Sequence, residues 1–526
     1  MENKKFYITT PIYYPSGKFH IGTAYATTLA DSINRYKKLQ GYDTYFLTGL
    51  DEHGQKVQTV AEKRGLTPQE HVDEMAILAK KLWNKMNISN NDFIRTTEDR
   101  HKQAVEKIIE KFIENGDIYK GFYEGWYCMP CETYFTKNQL VDGKCPDCGR
   151  EVKKMKEESY FFNMKKYQSW IENFYDENPD FIVPDSRRKE IFSNFIKPGL
   201  EDLCISRTTF DWGIKIKSDP KHVLYVWVDA LSNYITALGY LSNDDTLFQK
   251  YWPADLHIVG KEIIRFHGIY WPIFLKSLGL PLPKKIYAHS WLVMKDGKMS
   301  KSVGNVIYPE DLIAKYGLDA TKYYLLRTMQ YATDSVFTPE DFIDRYNFDL
   351  CNDLGNLLNR TIGMINKYFA GKVSKDYTLQ NDVDKELEDF TISTIDEFIS
   401  EMDNLYVSSS LSSVWKIVSR TNKYIDETTP WILAKDESKE ANEKLKSSMY
   451  HLVENLRKIA VLIIPFMPET AEKIFSQLGL NDEKCKTWVS LKPYSEFATK
   501  VIVTGEPLFM RKDRDEEIEY IKNLMK

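Results

Sequence analysis

The stretch FYITTPIYYPSGKFHIGTAYATTLADSINRYKKLQGYDTYFL, residues 6–47, decides the fold. Residues 6–10 are rich in β-branched and aromatic side chains, residues 11–22 carry the Pro and Gly of a loop, and residues 23–39 have helical character. A second β-rich run follows at residues 42–47. The order strand, loop, helix, strand is typical of a parallel nucleotide-binding sheet and predicts an α/β, Rossmann-like domain.

This pattern changes twice along the chain. Residues 118–222 hold clustered cysteines and many aromatics and interrupt the α/β rhythm, so we interpret them as an insertion. Strand-like runs at 223–228 and 256–259 and a helical run at 262–278 return to the first domain. From about residue 340, helical periodicity with few β clusters predicts a helix bundle, in runs such as 349–369, 384–405 and 444–462. We expect these segments: 1–117 and 223–290 as the two halves of the Rossmann domain, 118–222 as the insertion with a knuckle at 128–148, 291–340 as a junction, 341–500 as the bundle, and 501–526 as a tail.

Composition limits the function classes. The chain has 526 residues, which is enough for two or three domains, and a net charge of -5, which argues against binding nucleic acid by bulk charge alone. No apolar run approaches the roughly 20 residues of a membrane span, and the first residues lack the pattern of a signal peptide. We therefore expect a cytoplasmic protein with no membrane partner.

Four of the seven cysteines form two CxxC pairs, Cys128-Met-Pro-Cys131 and Cys145-Pro-Asp-Cys148, separated by 13 residues. Each pair presents two thiolates to one ion, and Zn²⁺ accepts four sulfurs in a closed tetrahedral site. We predict one structural Zn²⁺ per chain at this knuckle. Disulfides, free thiols and iron on the same sulfurs are the alternatives.

Two segments suit the binding of a polyphosphate. His20, Gly22 and Thr23 lie where the first loop meets the helix, so that helix N–H groups would face a phosphate. Lys298 and Lys301 lie three apart in a Gly- and Ser-containing stretch that would form a mobile loop. Taken singly, a histidine near a turn is more often structural, and a generic pair of lysines three apart is better explained as a solvated basic turn.

Together the segments resemble signature motifs of the class I aminoacyl-tRNA synthetases. His20-Ile-Gly-Thr23 resembles their HIGH motif, and Lys298-Met-Ser-Lys-Ser302 matches their KMSKS motif. The resemblance implies attack of an amino-acid carboxylate on the α-phosphorus of ATP, with Mg²⁺ accompanying the nucleotide. It implies catalytic roles for His20, Thr23, Lys298 and Lys301, and ATP contacts from Gly22, Gly260, Lys261, Glu262 and Lys301. The first motif ends in Thr rather than His, which is a shorter and uncharged donor.

Further segments resemble the methionyl-tRNA synthetases among that class. They are residues 9–14, 49–54, 225–234 and 266–272. The resemblance implies that Asp51 pairs with the substrate amino group. It places around the methionine side chain Ile12, Tyr14, Trp227, Ala230, Leu231, Tyr234, Phe266, His267 and Trp271. An aromatic pocket suits an unbranched, polarizable thioether, although each ring read alone is better explained as core.

The same resemblance extends into the predicted bundle. Asn356 and Arg360 lie four apart and so share a helix face, and Trp431 follows Pro430. Unpaired RNA bases are read by stacking and by hydrogen bonds to their edges, which these residue types supply. The resemblance implies an all-α anticodon-binding domain with tRNA(Met), ATP and L-methionine as partners. Since the sequence ends before the extra tRNA-binding barrel of many bacterial members, we expect a monomer.

Other classes of protein remain open from sequence. A class I synthetase for cysteine, leucine or valine would share both motifs, but the aliphatic members insert an editing domain for which the interval from His20 to Lys298 leaves little room. A non-catalytic tRNA-binding relative would keep the scaffold and is argued against by the intact motif residues. A zinc-ribbon module explains the knuckle alone.

Overall fold

The computed structural model describes residues 4–131, 133–135, 137–225, 227–295, 297, 299, 305–494, 499–501 and 505–525. The chain divides into two compact units. The first comprises Met1–Phe19 and Tyr42–His289, and the second comprises His20–Gly41 and Ser290–Lys526.

The regular elements follow in chain order. The strands are β1 Lys5–Tyr13, β2 Asp43–Leu50, β3 Asp92–Arg95, β4 Ile118–Cys128, β5 Thr133–Phe135, β6 Lys153–Phe162, β7 Ile182–Val183, β8 Leu203–Cys204, β9 Ser206–Arg207, β10 Lys215–Ile216, β11 Asp219–Leu224, β12 Leu256–Gly260, β13 Ile286–His289, β14 Leu292–Met294, β15 Ser335–Phe337, β16 Lys372–Val373 and β17 Thr499–Lys500. The α-helices are α1 Ile21–Leu39, α2 Gln55–Lys63, α3 Pro68–Lys85, α4 Asp99–Glu114, α5 Gln168–Glu177, α6 Asp185–Ile191, α7 Trp227–Thr236, α8 Thr246–Tyr251, α9 Trp271–Ser277, α10 Pro309–Tyr316, α11 Leu318–Thr328, α12 Pro339–Arg345, α13 Asn356–Phe369, α14 Asp384–Asp403, α15 Val407–Thr428, α16 Pro430–Leu433, α17 Lys439–Ile463, α18 Pro468–Gln477 and α19 Arg514–Leu524. Three π-helical segments, Phe192–Ile196, Phe266–Tyr270 and Tyr346–Gly355, adjoin α6, α9 and α13.

The first unit is built on a parallel sheet with the strand order β3-β2-β1-β12-β13-β7. This confirms the predicted Rossmann-like sheet. Strand order reverses direction between β1 and β12, and in open α/β sheets ligands bind beyond the carboxyl ends of the strands at such a point. The carboxyl ends of β1, β2 and β12 therefore mark the candidate site.

Two local predictions from sequence were wrong. The run at 223–228 is not one strand, because β11 ends at Leu224 and helix α7 begins at Trp227. β11 also pairs antiparallel with β9 and β10 in a separate small sheet rather than joining the parallel one. Residues 11–13 belong to β1 rather than to the loop, because pairing with β2 resumes after an irregularity between Thr9 and Ile12.

The insertion carries a long antiparallel ribbon. β4 and β6 pair over ten residues, and β5 and β8 extend them to a four-stranded sheet. Cys128 closes β4, so the knuckle lies at the end of the ribbon. The ribbon confirms an inserted module between strands of the parallel sheet.

The second unit begins with α1 and is mainly helical. Asp31 on α1 forms a buried ion pair of 2.7 Å with Lys322 on α11, which ties the first helix to the segment before the bundle. Beyond it, α14, α15 and α17 pack together, and almost every residue of α17 after Leu445 is buried. This confirms the predicted helix bundle. Among the residues that the structure describes, no helix is long and apolar enough to cross a membrane.

Candidate active site

The loop after β2 carries Asp51 and is held from several directions. The Asp51 N–H donates to the Tyr13 carbonyl at 3.0 Å, which joins the ends of β1 and β2. The next side chain, Glu52, accepts from Arg95 Nε at 2.7 Å and from the Thr97 hydroxyl. Burial raises the pKa of Glu52 in spite of these donors. Asp51 itself is 7% exposed, so its side chain is buried where β2 ends.

Helix α7 presents four of the predicted pocket residues. Trp227, Ala230, Leu231 and Tyr234 lie at positions i, i+3, i+4 and i+7, which fall on one helix face. Ala230, Leu231 and Tyr234 are buried, and Trp227 is half-buried at the first helical residue. The sequence matched these residues to a pocket, but only the helix explains their spacing.

The π-helical segment before α9 supplies the facing residues. The Phe266 ring stacks on Trp227 with centroids 3.5 Å apart and planes 16° apart. His267 donates from Nδ1 to the Ile263 carbonyl at 3.0 Å and accepts at Nε2 from the Tyr234 hydroxyl at 2.7 Å. Burial lowers the pKa of His267 to about 4, so the ring is neutral near pH 7 and can accept this bond. The Tyr234 hydroxyl therefore donates its hydrogen bond to His267 in this structure.

The remaining pocket residues complete the same region. The Trp271 indole N–H donates to His257 Nε2 at 3.3 Å, and Ile12 packs against the core of the unit. The Tyr14 hydroxyl donates to the His53 carbonyl at 3.2 Å. All ten residues predicted for methionine thus belong to the first unit.

Sequence reasoning missed a buried group beside Asp51. Asp229 on α7 accepts from His53 at 2.6 Å and from His101 on α4 at 2.8 Å. Burial by itself would raise the pKa of Asp229, but the two imidazoles outweigh it and lower the pKa to about 2. The signal was present in the sequence, since His53 and Asp229 both lie in segments that resemble the methionyl-tRNA synthetases.

His20 caps the first helix of the second unit. Its Nδ1 accepts the N–H groups of Gly22 at 3.1 Å and of Thr23 at 3.3 Å. The Ile21 N–H donates to the Ile307 carbonyl at 3.1 Å. The amides that the sequence predicted to face a phosphate are therefore engaged, and the neutral His20 ring carries its proton on Nε2.

Three of the other residues predicted to bind the nucleotide lie at the end of β12 and directly after it. Gly260 ends β12, and a Cβ there would lie 2.4 Å from a Glu262 carboxylate oxygen, so a larger residue would require the Glu262 side chain to move. Lys261 and Glu262 form the following 3₁₀ turn. Lys298 and Lys301 lie outside the described residues.

The four knuckle cysteines converge. Their sulfurs all lie within 4.8 Å of one another, with Cys128 to Cys148 at 3.5 Å and Cys131 to Cys145 at 3.8 Å. A tetrahedral ion with bonds of about 2.3 Å to sulfur places its ligands about 3.8 Å apart. Burial raises the pKa of Cys128 to about 12, so a bound cation would be needed to hold this thiol as a thiolate. The residues present fit a structural metal.

A second cluster of potential ligands has a different explanation. Glu158, Asp219 and His222 in the insertion also converge. Lys120 Nζ lies 3.0 Å from Glu158 and 2.8 Å from Asp219, and Lys221 Nζ lies 2.6 Å from Glu158, so two ammonium groups already pair with the two carboxylates. This cluster is an ion-pair network.

The three predicted anticodon residues all belong to the second unit. Arg360 on α13 lies 3.0 Å from Asp426 near the end of α15, five residues before Trp431. Asn356 is exposed at the start of α13, and Trp431 on α16 is 40% exposed. The structure therefore brings Arg360 close to the chain segment that leads to the tryptophan.

Comparison with known proteins matches the whole chain. The profile of class I tRNA synthetases (M) matches residues 6–156 and 149–362, and that of the anticodon binding domain of methionyl tRNA ligase matches 376–523. The methionine–tRNA ligase of Bacillus subtilis is 56% identical over 100% of this chain and 80% of its own length. The chain belongs to the methionyl-tRNA synthetases. A Listeria monocytogenes methionine–tRNA ligase is also 56% identical, over 100% of this chain and 81% of its own length.

Solved methionyl-tRNA synthetases share the fold. The Mycobacterium tuberculosis enzyme in complex with methionyl-adenylate aligns with a TM-score of 0.92 and 37% identity, covering 97% of this chain and 100% of that one. Its apo form aligns with a TM-score of 0.84 and 36% identity, over 97% and 99% of the two chains. In this methionyl-tRNA synthetase, the first unit holds the residues predicted to bind methionine, and the second holds His20 and the residues predicted to bind the anticodon.

Proposed function

We propose that this methionyl-tRNA synthetase activates L-methionine with ATP, releases pyrophosphate, and transfers the methionyl group to the 3′-terminal adenosine of tRNA(Met). The observation that carries the proposal is that Asp51 directly follows β2 at the carboxyl edge of the sheet, in the same unit as the stacked rings of Trp227 and Phe266. An ammonium group and an unbranched apolar side chain are the features that this arrangement recognises.

In the amino-acid site, Asp51 binds the substrate ammonium group. This contact directs the carboxylate of the substrate away from the sheet edge. The rings of Trp227, Phe266 and Trp271 supply polarizable surface for the thioether. Because Tyr234 and His267 satisfy each other, neither leaves an unpaired buried polar group when an apolar side chain enters. A substrate with a polar side chain has no free partner in this pair.

In the nucleotide step the chain supplies orientation and charge stabilisation rather than a nucleophile. His20 would donate its Nε2 proton to the phosphate oxygens on which charge develops, while its Nδ1 keeps the start of α1 in place. Gly22 lets the ring lie close to the helix, and Thr23 extends the donor set. Lys298 and Lys301 would pair with the phosphates, with Gly260, Lys261 and Glu262 serving the ribose. Mg²⁺ bound with ATP supplies further positive charge at the phosphates.

The knuckle and the bundle serve the second substrate. Cys128, Cys131, Cys145 and Cys148 would hold one structural Zn²⁺ with no open position. Asn356, Arg360 and Trp431 would read the anticodon by hydrogen bonds and stacking. No disulfide joins the cysteines in the described part of the chain, which suits a reducing compartment, and we assign the enzyme to the cytoplasm. Its monomeric state stays a prediction that light scattering of the purified chain would check.

The test is amino-acid-dependent exchange of pyrophosphate into ATP, with each of the twenty amino acids assayed separately and without tRNA. We expect exchange with methionine alone. Exchange with another amino acid would keep the mechanism and overturn the specificity, and no exchange with any of them would overturn the adenylation chemistry.

A further inference from the structure

A buried carboxylate links three elements around the amino-acid site. Asp229 in the first turn of α7 accepts from His53 Nδ1 at 2.6 Å through one oxygen and from His101 Nε2 at 2.8 Å through the other. The Asp229 and His101 side chains are fully buried, and His53 is 6% exposed. The start of a helix stabilises a negative charge, so α7 itself favours an ionised carboxylate at this position.

His53 connects this carboxylate to the residues that face the substrate. It lies two residues after Asp51 on the same loop, and its carbonyl accepts the Tyr14 hydroxyl at 3.2 Å. The Trp212 ring lies edge-on to the imidazole, and the Trp212 indole donates to the Glu52 carbonyl at 2.6 Å. The His53 ring therefore has one orientation, and that orientation fixes the backbone between Asp51 and Gly54.

We propose that Asp229 is a positioning residue for the amino-acid site: by holding His53, it fixes the loop that aims the Asp51 carboxylate at the substrate ammonium group. This inference rests on the proposed function and deepens it. Asp229 touches neither substrate nor cofactor in this assignment. A carboxylate suits the task because its two oxygens accept two imidazole N–H groups at once, which no neutral side chain of the same size does.

The conservative change is informative for the same reason. In Asp229→Asn, the amide oxygen still accepts from His53, and the amide N–H₂ donates to His101 once that ring moves its proton to Nδ1. His101 Nδ1 lies 2.7 Å from the Thr236 hydroxyl oxygen, which would accept a hydrogen bond from the Nδ1–H group. Asp229→Asn should therefore retain the loop geometry, whereas Asp229→Ala removes both contacts.

The test uses two competitive inhibitors of methionine in the exchange assay of the full chain. One, 3-(methylthio)propylamine, keeps the amino group, and the other, 4-(methylthio)butanoate, lacks it. We expect Asp229→Ala to weaken inhibition by the amine about tenfold, since small misplacements of a positioned group have effects of this size or larger. Inhibition by the acid should be unchanged, and Asp229→Asn should restore most of the amine's affinity.

The matched control is Asp117→Ala. Asp117 is also a buried carboxylate of the first unit, paired with Lys166 at 2.5 Å and with Tyr167 at 2.8 Å, but it contacts none of the pocket residues. It should leave both inhibitors unaffected. If Asp229→Ala does not fold, His53→Ala carries the same test, because it leaves Asp229 paired with His101.

Equal weakening of both inhibitors would overturn the inference, because it would indicate a displaced pocket helix rather than a misaimed Asp51. Unchanged inhibition by the amine in an active Asp229→Ala enzyme would overturn it as well. Absence of methionine-dependent exchange in the unaltered chain would instead overturn the proposed function, and the inference with it.

Discussion

The contact between His20 and Gly22 makes a sharp prediction about the first motif. A Cβ added at Gly22 would lie 3.0 Å from His20 Cε1 and 3.1 Å from Nδ1, so the ring must move by a few tenths of an ångström. The cap bonds are already 3.1 and 3.3 Å long, and such a shift brings the longer one to the limit of a hydrogen bond. We expect Gly22→Ala to weaken the cap and to displace Nε2 together with the ring.

The two effects of Gly22→Ala on stability oppose each other. Loss of a cap costs about 1 kcal/mol, and replacing glycine by alanine within a helix contributes about 0.5–1 kcal/mol of stability. The free energy of unfolding should therefore hardly change. Complete removal of a charge-stabilising donor lowers kcat by about 10²–10³, so a displaced donor should lower the exchange rate by about tenfold. The rate of methionine-dependent exchange and a urea unfolding curve measure the two quantities separately.

His20→Asn separates capping from catalysis. Asparagine is among the best residues at a helix N-cap, so stability should be retained. Its short side chain has no donor at the position of Nε2, so the exchange rate should fall by about 10²–10³. Full activity in His20→Asn would refute the reasoning, because it would leave His20 with a capping role only.

Three further predictions follow from other sites. Cys145→Ser should lose the metal, as measured by atomic emission spectroscopy of the dialysed protein. Cys204→Ser, at a buried cysteine outside the knuckle, should keep it. Equal metal content in both variants would exclude the knuckle as the metal site. Burial lowers the pKa of His267 in the folded chain to about 4 from its ordinary value of 6.5. Between these two pH values the unfolded chain therefore binds a proton on His267 that the folded chain does not bind. His267 should thus contribute a loss of roughly 3 kcal/mol of stability between pH 7 and pH 4, and His267→Gln should show a correspondingly shallower decline in urea titrations at each pH; parallel declines would contradict this. Trp431→Ala should reduce tRNA charging by roughly tenfold, as expected for loss of one stacked base, while exchange without tRNA and the charging activity of Ile432→Ala stay normal.

Much of the fold was predictable because it depends on local patterns. The periodicity of residues 384–405 and 444–462 anticipated α14 and α17, and the cysteine spacing anticipated a cluster whose sulfurs meet within 4.8 Å. Predictions were wrong where the local pattern fits two structures. Residues 223–228 are mostly β-branched and aromatic and so resemble a strand, but Trp227 begins helix α7, which carries four of the predicted pocket residues.

The sequence by itself determined the family, the order of the modules and most residues of the candidate site, because motifs and periodicities are properties of contiguous residues. Tertiary structure alone decided how those residues are held. His53 and His101 lie 176 and 128 residues before Asp229, and no local pattern pairs them. Tyr234 and His267, 33 residues apart, likewise satisfy each other only because α7 faces the π-helical segment before α9. Buried polar groups must find partners wherever the fold brings them, so these pairings emerge from packing and not from sequence spacing.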